Sequence, residues 1–280
     1  GRGVIKSPTG SGKTLIMAGL IKSLIGRKMV ILFNAKQLLT QTYDFLTETC
    51  GMDNVGLCYG EGYIDGDIML CTVQSIEKIL DKYLDTAEVL MVDECHAAGF
   101  IGKTGRGTLE EKGVMGRVDI ITGTLGKALG GAMGGYTTGK KEMIELLRQR
   151  SRPYLFSNSL PPPVVAAGIK VFDMLVSADD LRAKLQDNTR YFREKMQAAG
   201  FDLKPGIHPI VPVMLYDAPL AQEFAKRLLD EGIYAVGFFF PVVSKGQARI
   251  RTQMSAAHSR EHLERAVAAF TKVGRELGVI

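Results

Sequence analysis

The stretch Glu88-Val89-Leu90-Met91-Val92-Asp93-Glu94-Cys95-His96 decides the fold of this chain. Its first five residues form an apolar run that is typical of a buried parallel strand. Two acids and a histidine follow at the point where such a strand ends. Because ligands of open α/β sheets bind beyond the carboxyl ends of the strands, the stretch predicts a functional site at Asp93 to His96.

A phosphate-binding loop precedes this stretch. Ser7-Pro8-Thr9-Gly10-Ser11-Gly12-Lys13-Thr14 lies between a predicted strand at Gly3–Lys6 and a predicted helix at Leu15–Ile25. This is the Walker A pattern, in which backbone N–H groups and a helix N-terminus face a phosphate. Lys13 is expected to reach the β- and γ-phosphates, and Thr14 is expected to bind Mg²⁺. The predicted phosphate-binding residues are Gly10, Ser11, Gly12, Lys13 and Thr14.

The first hundred residues alternate between predicted strands and predicted helices. This rhythm indicates a parallel sheet that is covered on both faces. Three further predicted strands are Met29–Phe33, Val55–Tyr59 and Ile68–Thr72, and helices are predicted to begin at Ala35 and Val73.

Residues 1 to about 96 resemble the first RecA-like domain of superfamily-two helicases. The resemblance rests on the Walker A loop, on Phe33–Leu38, on Thr72–Ser75 and on Asp93–His96 as a DExH box. It implies that Asp93 holds Mg²⁺ through water and that Glu94 orients an attacking water. The family's second RecA-like domain has no counterpart in the sequence, so we expect weak ATP binding or hydrolysis at most, and no strand separation.

A second pattern begins at the same motif. A predicted strand at Val118–Thr122 leads into Gly123-Thr124-Leu125-Gly126-Lys127-Ala128-Leu129-Gly130-Gly131, and the chain continues through Arg150–Pro162 and Gly246–His258. From about residue 93 to residue 280 the sequence resembles the α-oxoamine synthases, and among them the glycine C-acetyltransferases. These are acyltransferases that use pyridoxal phosphate (PLP).

This second resemblance assigns roles to the residues of the central motif. It implies that Lys127 forms a Schiff base with the cofactor aldehyde, that Asp93 pairs with the pyridinium nitrogen, and that His96 donates to the phenolate oxygen. Lys127, His96 and, on the helicase-like interpretation, Glu94 are therefore the candidate catalytic residues.

The same resemblance assigns roles outside the motif. It implies that Thr124 lies on the phosphate side of the cofactor, and that Ser157 and Asn158 approach the partner's cofactor phosphate in a homodimer. It also implies that Arg251 binds the carboxylate of glycine with its planar fork. Asp93 cannot serve the pyridinium and Mg²⁺ at once, so the two resemblances compete for this residue.

Composition excludes several classes of protein. The net charge of +5 is spread along the chain, so nucleic-acid binding is not expected. No apolar stretch reaches the ~18 residues of a membrane span, and no signal peptide opens the chain. The chain begins Gly-Arg-Gly without Met, which suggests that it is cut from a longer protein or processed. Cys50, Cys58, Cys71 and Cys95 show no CxxC spacing, which favours reduced thiols in a cytoplasmic protein.

Together these observations predict an α/β fold in three layers, a hybrid of a P-loop parallel sheet and a PLP-transferase large-domain sheet. The predicted parts are a helicase-like half at 1–96, a synthase-like half of the same domain at 97–176, and a small α+β domain at 177–280. We interpret the order of the two halves as an engineered, recombinant chimera without efficient turnover that retains part of a PLP site and acts, if at all, on small molecules. The alternative is residual binding or weak hydrolysis of ATP.

Overall fold

The computed structural model describes residues 2–7, 18–19, 21–22, 26, 28–33, 36–59, 62–72, 89–130 and 132–280. Two compact units divide the chain, Gly1–Ser177 and Ala178–Ile280, which we call unit 1 and unit 2. The predicted Walker A residues, most of the helix predicted after them, and the helix predicted from Val73 lie outside the described residues.

Unit 1 is built on an eight-stranded sheet. Its strands are β1 (Arg2–Ser7), β2 (Met29–Phe33), β3 (Val55–Tyr59), β4 (Gly62–Ile64), β5 (Ile68–Thr72), β6 (Val89–Asp93), β7 (Ile120–Thr124) and β8 (Gly135–Lys140). Its described helices are α1 (Lys36–Asp44), followed directly by a π-helical turn at Phe45–Thr49, then α2 (Thr108–Glu111), α3 (Lys141–Arg150), α4 (Arg152–Phe156) and α5 (Pro162–Leu175).

The sheet has the order β1-β8-β7-β6-β2-β5-β3-β4. The central strands β7, β6, β2, β5 and β3 are parallel, while β4 pairs antiparallel at one edge. At the other edge, β8 pairs antiparallel with both β7 and β1. The segment 125–134 between β7 and β8 is shorter than a parallel crossover needs, so β8 must return in the opposite direction. The mixed, mainly parallel sheet confirms the predicted α/β hybrid.

One hydrophobic core joins the two parts of unit 1. It contains Ile31 and Leu70 from the helicase-like part together with Ile120, Ile144 and Leu147 from the synthase-like part, all at most 3% exposed. Chimeric cores fold when total volume and patterning are preserved. The shared cluster therefore accounts for the ability of one sheet to continue across the join.

Unit 2 packs three helices against a three-stranded sheet. The helices are α6 (Asp179–Ala198), α7 (Ala218–Asp230) and α8 (Arg260–Glu276), and the strands β9 (Ile210–Tyr216), β10 (Val236–Phe238) and β11 (Ala248–Gln253) lie antiparallel in the order β10-β11-β9. Phe192, Phe224 and Phe270 are at most 1% exposed at the centre of its core. Ser259 caps α8, and the ring of His262 completes a capping box.

Several element boundaries differ from the sequence predictions. The strand predicted at Val118–Thr122 is β7, two residues further along. Strand β10 ends at Phe238, before Pro241, which has no N–H for the ladder. The sequence predictions did not include strands β4 and β11, the second of which carries Arg251, or helices α2, α3 and α4. None of the described helices is long and apolar enough to cross a membrane.

Candidate active site

Strands β6 and β7 bring the central motif and the lysine loop to one edge of the sheet. The two strands are parallel neighbours with Asp93 in register with Thr122. Both side chains are buried, and the Thr122 hydroxyl donates to Asp93 Oδ2 at 2.8 Å. The two predicted cofactor-binding segments therefore begin side by side at the carboxyl edge, as expected for an α/β sheet.

The Asp93 carboxylate is held by three donors. Besides Thr122, the Cys95 backbone N–H donates to Oδ1 at 3.1 Å and the Cys95 thiol to Oδ2 at 3.2 Å. An ionised carboxylate offers about four lone-pair positions. Among the described residues, these donors leave one acceptor position on Oδ1 for a further N–H group, and they fix the plane in which that group must lie.

His96 and Lys127 meet at the ends of β6 and β7. His96 lies in the turn that follows β6, and Lys127 in the turn that follows β7. Lys127 Nζ is 3.1 Å from His96 Nε2. His96 is half-buried and Lys127 is exposed. A primary amine and an imidazole are thus in contact, in the two turns that follow the neighbouring strands β6 and β7. Together with the carboxylate at the end of β6, they are chemically suited to a planar ligand that has a carbonyl, a hydroxyl and a ring nitrogen.

Thr124 fixes the lysine turn to the sheet. Its hydroxyl donates to the Gly134 carbonyl at 3.1 Å and accepts from the Gly126 N–H at 3.3 Å. The predicted role of Thr124 was to lie on the phosphate side of a cofactor. In this structure its hydroxyl proton is directed at Gly134, so its contribution is to hold the backbone that carries Lys127.

Glu94 does not face the same space as Lys127. Its two carboxylate oxygens accept from the backbone N–H groups of Thr108 at 2.9 Å and Leu109 at 3.3 Å, at the start of α2. The side chain is 2% exposed and lies against Gly107. The predicted role in orienting an attacking water therefore has no geometric support, because both oxygens bind the loop after the motif.

Burial raises the pKa of the Glu94 carboxyl, although the hydrogen bonds from Thr108 and Leu109 act in the opposite direction. Folding then favours the protonated acid, so the stability that Glu94 contributes is greatest below the usual glutamate pKa and falls as the pH rises towards the raised value. Glu94→Gln removes this dependence. We expect the free energy of unfolding of Glu94→Gln, measured by urea denaturation, to increase relative to that of the wild type as the pH rises through that window.

Glu110 provides a control because its pKa is shifted in the opposite direction from that of Glu94. Although partial burial acts to raise its pKa, hydrogen bonds from Thr104 and Arg106 lower the pKa overall. Its contribution is present at neutral pH and is lost as the pH falls through the window below the usual glutamate value. The free energy of unfolding of Glu110→Gln should therefore decrease relative to that of the wild type as the pH rises through that lower window. Parallel profiles for the two variants would contradict the assignment of Glu94.

Tyr136 is a site residue that the sequence predictions missed. Its ring lies against Gly123, where an added Cβ would be 2.2 Å from the Tyr136 Cζ atom. Burial, together with the charges of Cys95, Glu94 and Asp93, raises the pKa of Tyr136 to about 12. Tyr136 is therefore a neutral phenol near the acidic residues Asp93 and Glu94. The buried residues of β8 are Gly135, Thr137 and Gly139, so the alternation along this strand did not indicate the contact of Tyr136 with Gly123.

The remaining predicted site residues are two loop residues of unit 1, one arginine of unit 2 and the Walker A segment. Ser157 and Asn158 are exposed after α4. Arg251 belongs to unit 2, where its guanidinium lies 5.3 Å from the centre of the Phe238 ring. Gly10, Ser11, Gly12, Lys13 and Thr14 lie outside the described residues, so the proposed Mg²⁺ pair of Thr14 and Asp93 is not described. Among the residues that are described, no group of three His, Cys, Asp or Glu side chains could hold a metal ion.

Comparison with known proteins identifies the two parts of the sequence. The family model described as aminotransferase class I and II matches residues 69–270, well over half of the chain. The chain belongs to this family. The model described as type III restriction enzyme, res subunit, matches residues 1–108 and confirms the helicase-like character of the first part. The two matches overlap over 69–108, so the aminotransferase match begins earlier than the predicted start near residue 93.

Individual members of the aminotransferase family agree with the synthase resemblance. The 2-amino-3-ketobutyrate coenzyme A ligase of Escherichia coli is 58% identical over 220 residues, which cover 79% of this chain and 54% of the relative. The chain thus spans about half the length of the curated relatives it matches.

Solved structures show the same fold over nearly the whole chain. The serine palmitoyltransferase of Sphingomonas wittichii has a TM-score of 0.78 at 27% identity, covering 99% of this chain and 73% of that one. A structure described as SPT with PLP has a TM-score of 0.78 at 26% identity, covering 99% and 74%. The aminotransferase-family architecture therefore extends through the helicase-like part as well.

Proposed function

We propose that this aminotransferase-family chain binds pyridoxal phosphate at the carboxyl edge of the unit 1 sheet, with Lys127 as the covalent anchor. The observation that supports it best is the 3.1 Å contact between Lys127 Nζ and His96 Nε2, at the ends of the adjacent strands that carry Asp93 and Thr122. PLP supplies an electron sink for chemistry at the α-carbon of an amino acid. Titration with PLP, followed by borohydride reduction, tests the proposal.

The residues fit this cofactor by their chemistry. The open acceptor position on Asp93 Oδ1 suits a protonated ring nitrogen, and the His96 ring suits a phenolate oxygen. Lys127 is exposed and can reach an incoming aldehyde. The neutral Tyr136 phenol adds no charge to the site. These groups orient the cofactor, while transfer of a proton at the substrate falls to the Lys127 amine.

The cofactor phosphate needs a binding loop, and the Walker A segment is our candidate. In the sheet register, Ser7 pairs with Gly135, which pairs with Thr124. Strands β1 and β7 both run antiparallel to β8, so their carboxyl ends lie at the same edge. The segment Gly10–Thr14 follows Ser7 in the sequence and lies outside the described residues. Its pattern suits a phosphate of any origin.

Lys13→Ala tests this assignment. Loss of the ammonium group should weaken PLP binding by about 10-fold, because charge-assisted bonds to phosphate contribute more than neutral ones. Equilibrium titration by absorbance measures the change. Lys28→Ala removes an exposed lysine just before β2 and serves as the control. Unchanged PLP affinity in Lys13→Ala would remove the Walker A loop from the cofactor site.

Residual nucleotide binding is the second candidate, because the match over residues 1–108 includes the Walker A segment. In this alternative Lys13 and Thr14 bind ATP and Mg²⁺ with help from Asp93. The engagement of Glu94 by α2 argues against hydrolysis. Since both ligands require Asp93, PLP should displace a labelled ATP analogue if both bind, and simultaneous saturation by the two ligands would contradict this competition.

A homodimer through the synthase-like part completes the proposal. Helix α5 is strongly apolar, yet Ile169, Phe172 and Met174 are 57%, 47% and 57% exposed. Contiguous exposed apolar surface marks an interaction site, and a second copy would cover it while bringing Ser157 and Asn158 to a partner's cofactor. Light scattering during size-exclusion chromatography should give twice the chain mass. A monomer at all concentrations would contradict this part.

The overall activity follows from the parts that are present. We propose a cytoplasmic, engineered fusion that retains a PLP site related to glycine C-acetyltransferase chemistry, with Arg251 for the substrate carboxylate. Catalytic sites demand placement within about 0.5 Å, and the chain spans only about half of its relatives. Turnover should therefore be far below that of a complete synthase.

A further inference from the structure

Unit 2 carries arginines of two kinds. Four arginines pair with carboxylates, namely Arg182 with Asp179, Arg190 with Asp187 and Glu194, Arg227 with Glu223 and Glu276, and Arg260 with Asp187. Arg249 and Arg251 are half-buried, and within the described part of the chain neither forms an ion pair. Burial of a cation without an acidic partner is costly, so these two residues call for an explanation.

Both residues lie on the same face of the small sheet. Along β11, Ala248, Ile250 and Thr252 are buried, so Arg249 and Arg251 point to the opposite face about 7 Å apart. Burial lowers the pKa of both guanidinium groups. The ring of Phe238 lies 5.3 Å from the Arg251 guanidinium and holds it to one side.

Lys204 adds a third cation to this face. Leu203 forms a bridge with Val213 of β9, and both side chains are buried, so Lys204 must project to the same face as the arginines. Two strand spacings, about 10 Å, separate its backbone from β11, a gap that long side chains can span. Partial burial and the charge of Arg249 lower the pKa of Lys204, so these two cations lie close enough to repel each other.

The position of Lys204 is fixed by a further arginine. Arg193 of α6 donates to the Lys204 carbonyl at 2.8 Å and to the His208 carbonyl at 3.2 Å. The acid nearest in register on this face is Asp202, whose carboxylate accepts from the Tyr216 hydroxyl. The Met214 N–H donates to the Asp202 carbonyl and Met214 pairs with Arg249, so this acid lies at the register of Arg249; within the described residues it forms no ion pair with Arg249 or Lys204.

We infer that Arg249 and Lys204 form a second anion subsite beside Arg251, and that its ligand is a phosphate group of the acyl-carrying substrate. A guanidinium fork and an ammonium group together match the charge of a phosphate dianion, whereas a single arginine suits a carboxylate. The inference rests on the proposed function only in the choice of coenzyme A as the phosphate-bearing ligand.

The test compares the binding of coenzyme A and of phosphate-free pantetheine to the full chain by calorimetry. Arg249→Met and Lys204→Met should each weaken coenzyme A binding by about 10-fold and leave pantetheine binding unchanged. Lys226→Met, which removes an exposed cation from α7, is the matched control. Circular dichroism confirms that each variant is folded.

The outcomes separate this inference from the proposed function. If Arg249→Met and Lys226→Met bind coenzyme A equally, or the wild type does not bind it, the phosphate subsite is wrong. Failure of PLP to bind leaves this comparison intact, because it uses no PLP. Conversely, Arg249→Met should leave PLP affinity unchanged, so a parallel loss of PLP and coenzyme A would contradict a separate subsite.

Discussion

Lys127→Ala should abolish the covalent attachment of pyridoxal phosphate to this chain. The Lys127 amine is exposed, lies 3.1 Å from His96, and follows the strand that pairs with the strand ending at Asp93. A lysine amine forms a reducible bond to an aldehyde, and alanine cannot. After incubation with PLP and borohydride, intact mass spectrometry should show one added cofactor in the wild type and none in the variant.

Exposed lysines react slowly with any aldehyde, so the Lys127 experiment needs a matched lysine. Lys103 lies exposed in the loop between the central motif and α2, within the same unit. Lys103→Ala should be labelled like the wild type, and peptide mapping should find the adduct on Lys127. Equal labelling of the Lys127→Ala and Lys103→Ala variants would mean that the attachment is non-specific.

Asp93→Asn should weaken PLP binding by about 100-fold or more, because removal of one partner from a buried charge pair leaves the other uncompensated. Thr122 donates to Asp93 at 2.8 Å and fixes its plane. Thr122→Val, which loses this donor, should weaken binding by about 10-fold, and Thr122→Ser should restore it. Absorbance titration with PLP measures all three dissociation constants.

Thr137→Val is the control for the Thr122 series. Thr137 is buried on β8 directly opposite Thr122, but it makes none of the three hydrogen bonds to Asp93. If Thr122→Val and Thr137→Val weaken PLP binding equally, the effect comes from packing and not from the carboxylate. A PLP affinity of Asp93→Asn equal to that of the wild type would mean that the ring nitrogen does not approach Asp93.

The parts of the site that could be predicted from sequence are those tied to strand ends. An apolar run before Asp93 and another before Thr122 predicted two parallel strands, and parallel neighbours end at the same edge. The resemblance to the α-oxoamine synthases assigned His96 and Lys127 to one cofactor, and the 3.1 Å contact between Lys127 Nζ and His96 Nε2 is compatible with that assignment. The roles of these residues stay predictions until a cofactor is bound.

Contacts that depend on long-range pairing could not be predicted. The direction of Glu94 is set by the start of α2 fourteen residues later, and that of Tyr136 by the antiparallel return of β8. Local residue patterns do not encode such non-local contacts. Thr124 illustrates the same limit, since its hydroxyl is directed at Gly134 across the turn.

The pairing of β1 is the least local feature of the fold. A strand before a Walker A loop is expected within a parallel sheet, whereas β1 pairs antiparallel with β8, a strand from the other part of the sequence. The edge of β8 is exposed once it has returned beside β7, and an unpaired strand edge recruits a partner. The sequence before residue 96 contains no information about β8, so only the assembled sheet reveals this pairing.

The central claim is that unit 1, although built from two family sequences, assembles a PLP site. The most direct test is an absorbance titration of the purified wild-type chain with PLP, followed alongside by circular dichroism. The account predicts a band near about 420 nm that saturates at one cofactor per chain, with an unchanged fold. A folded chain whose spectrum is only the sum of protein and free PLP would contradict it.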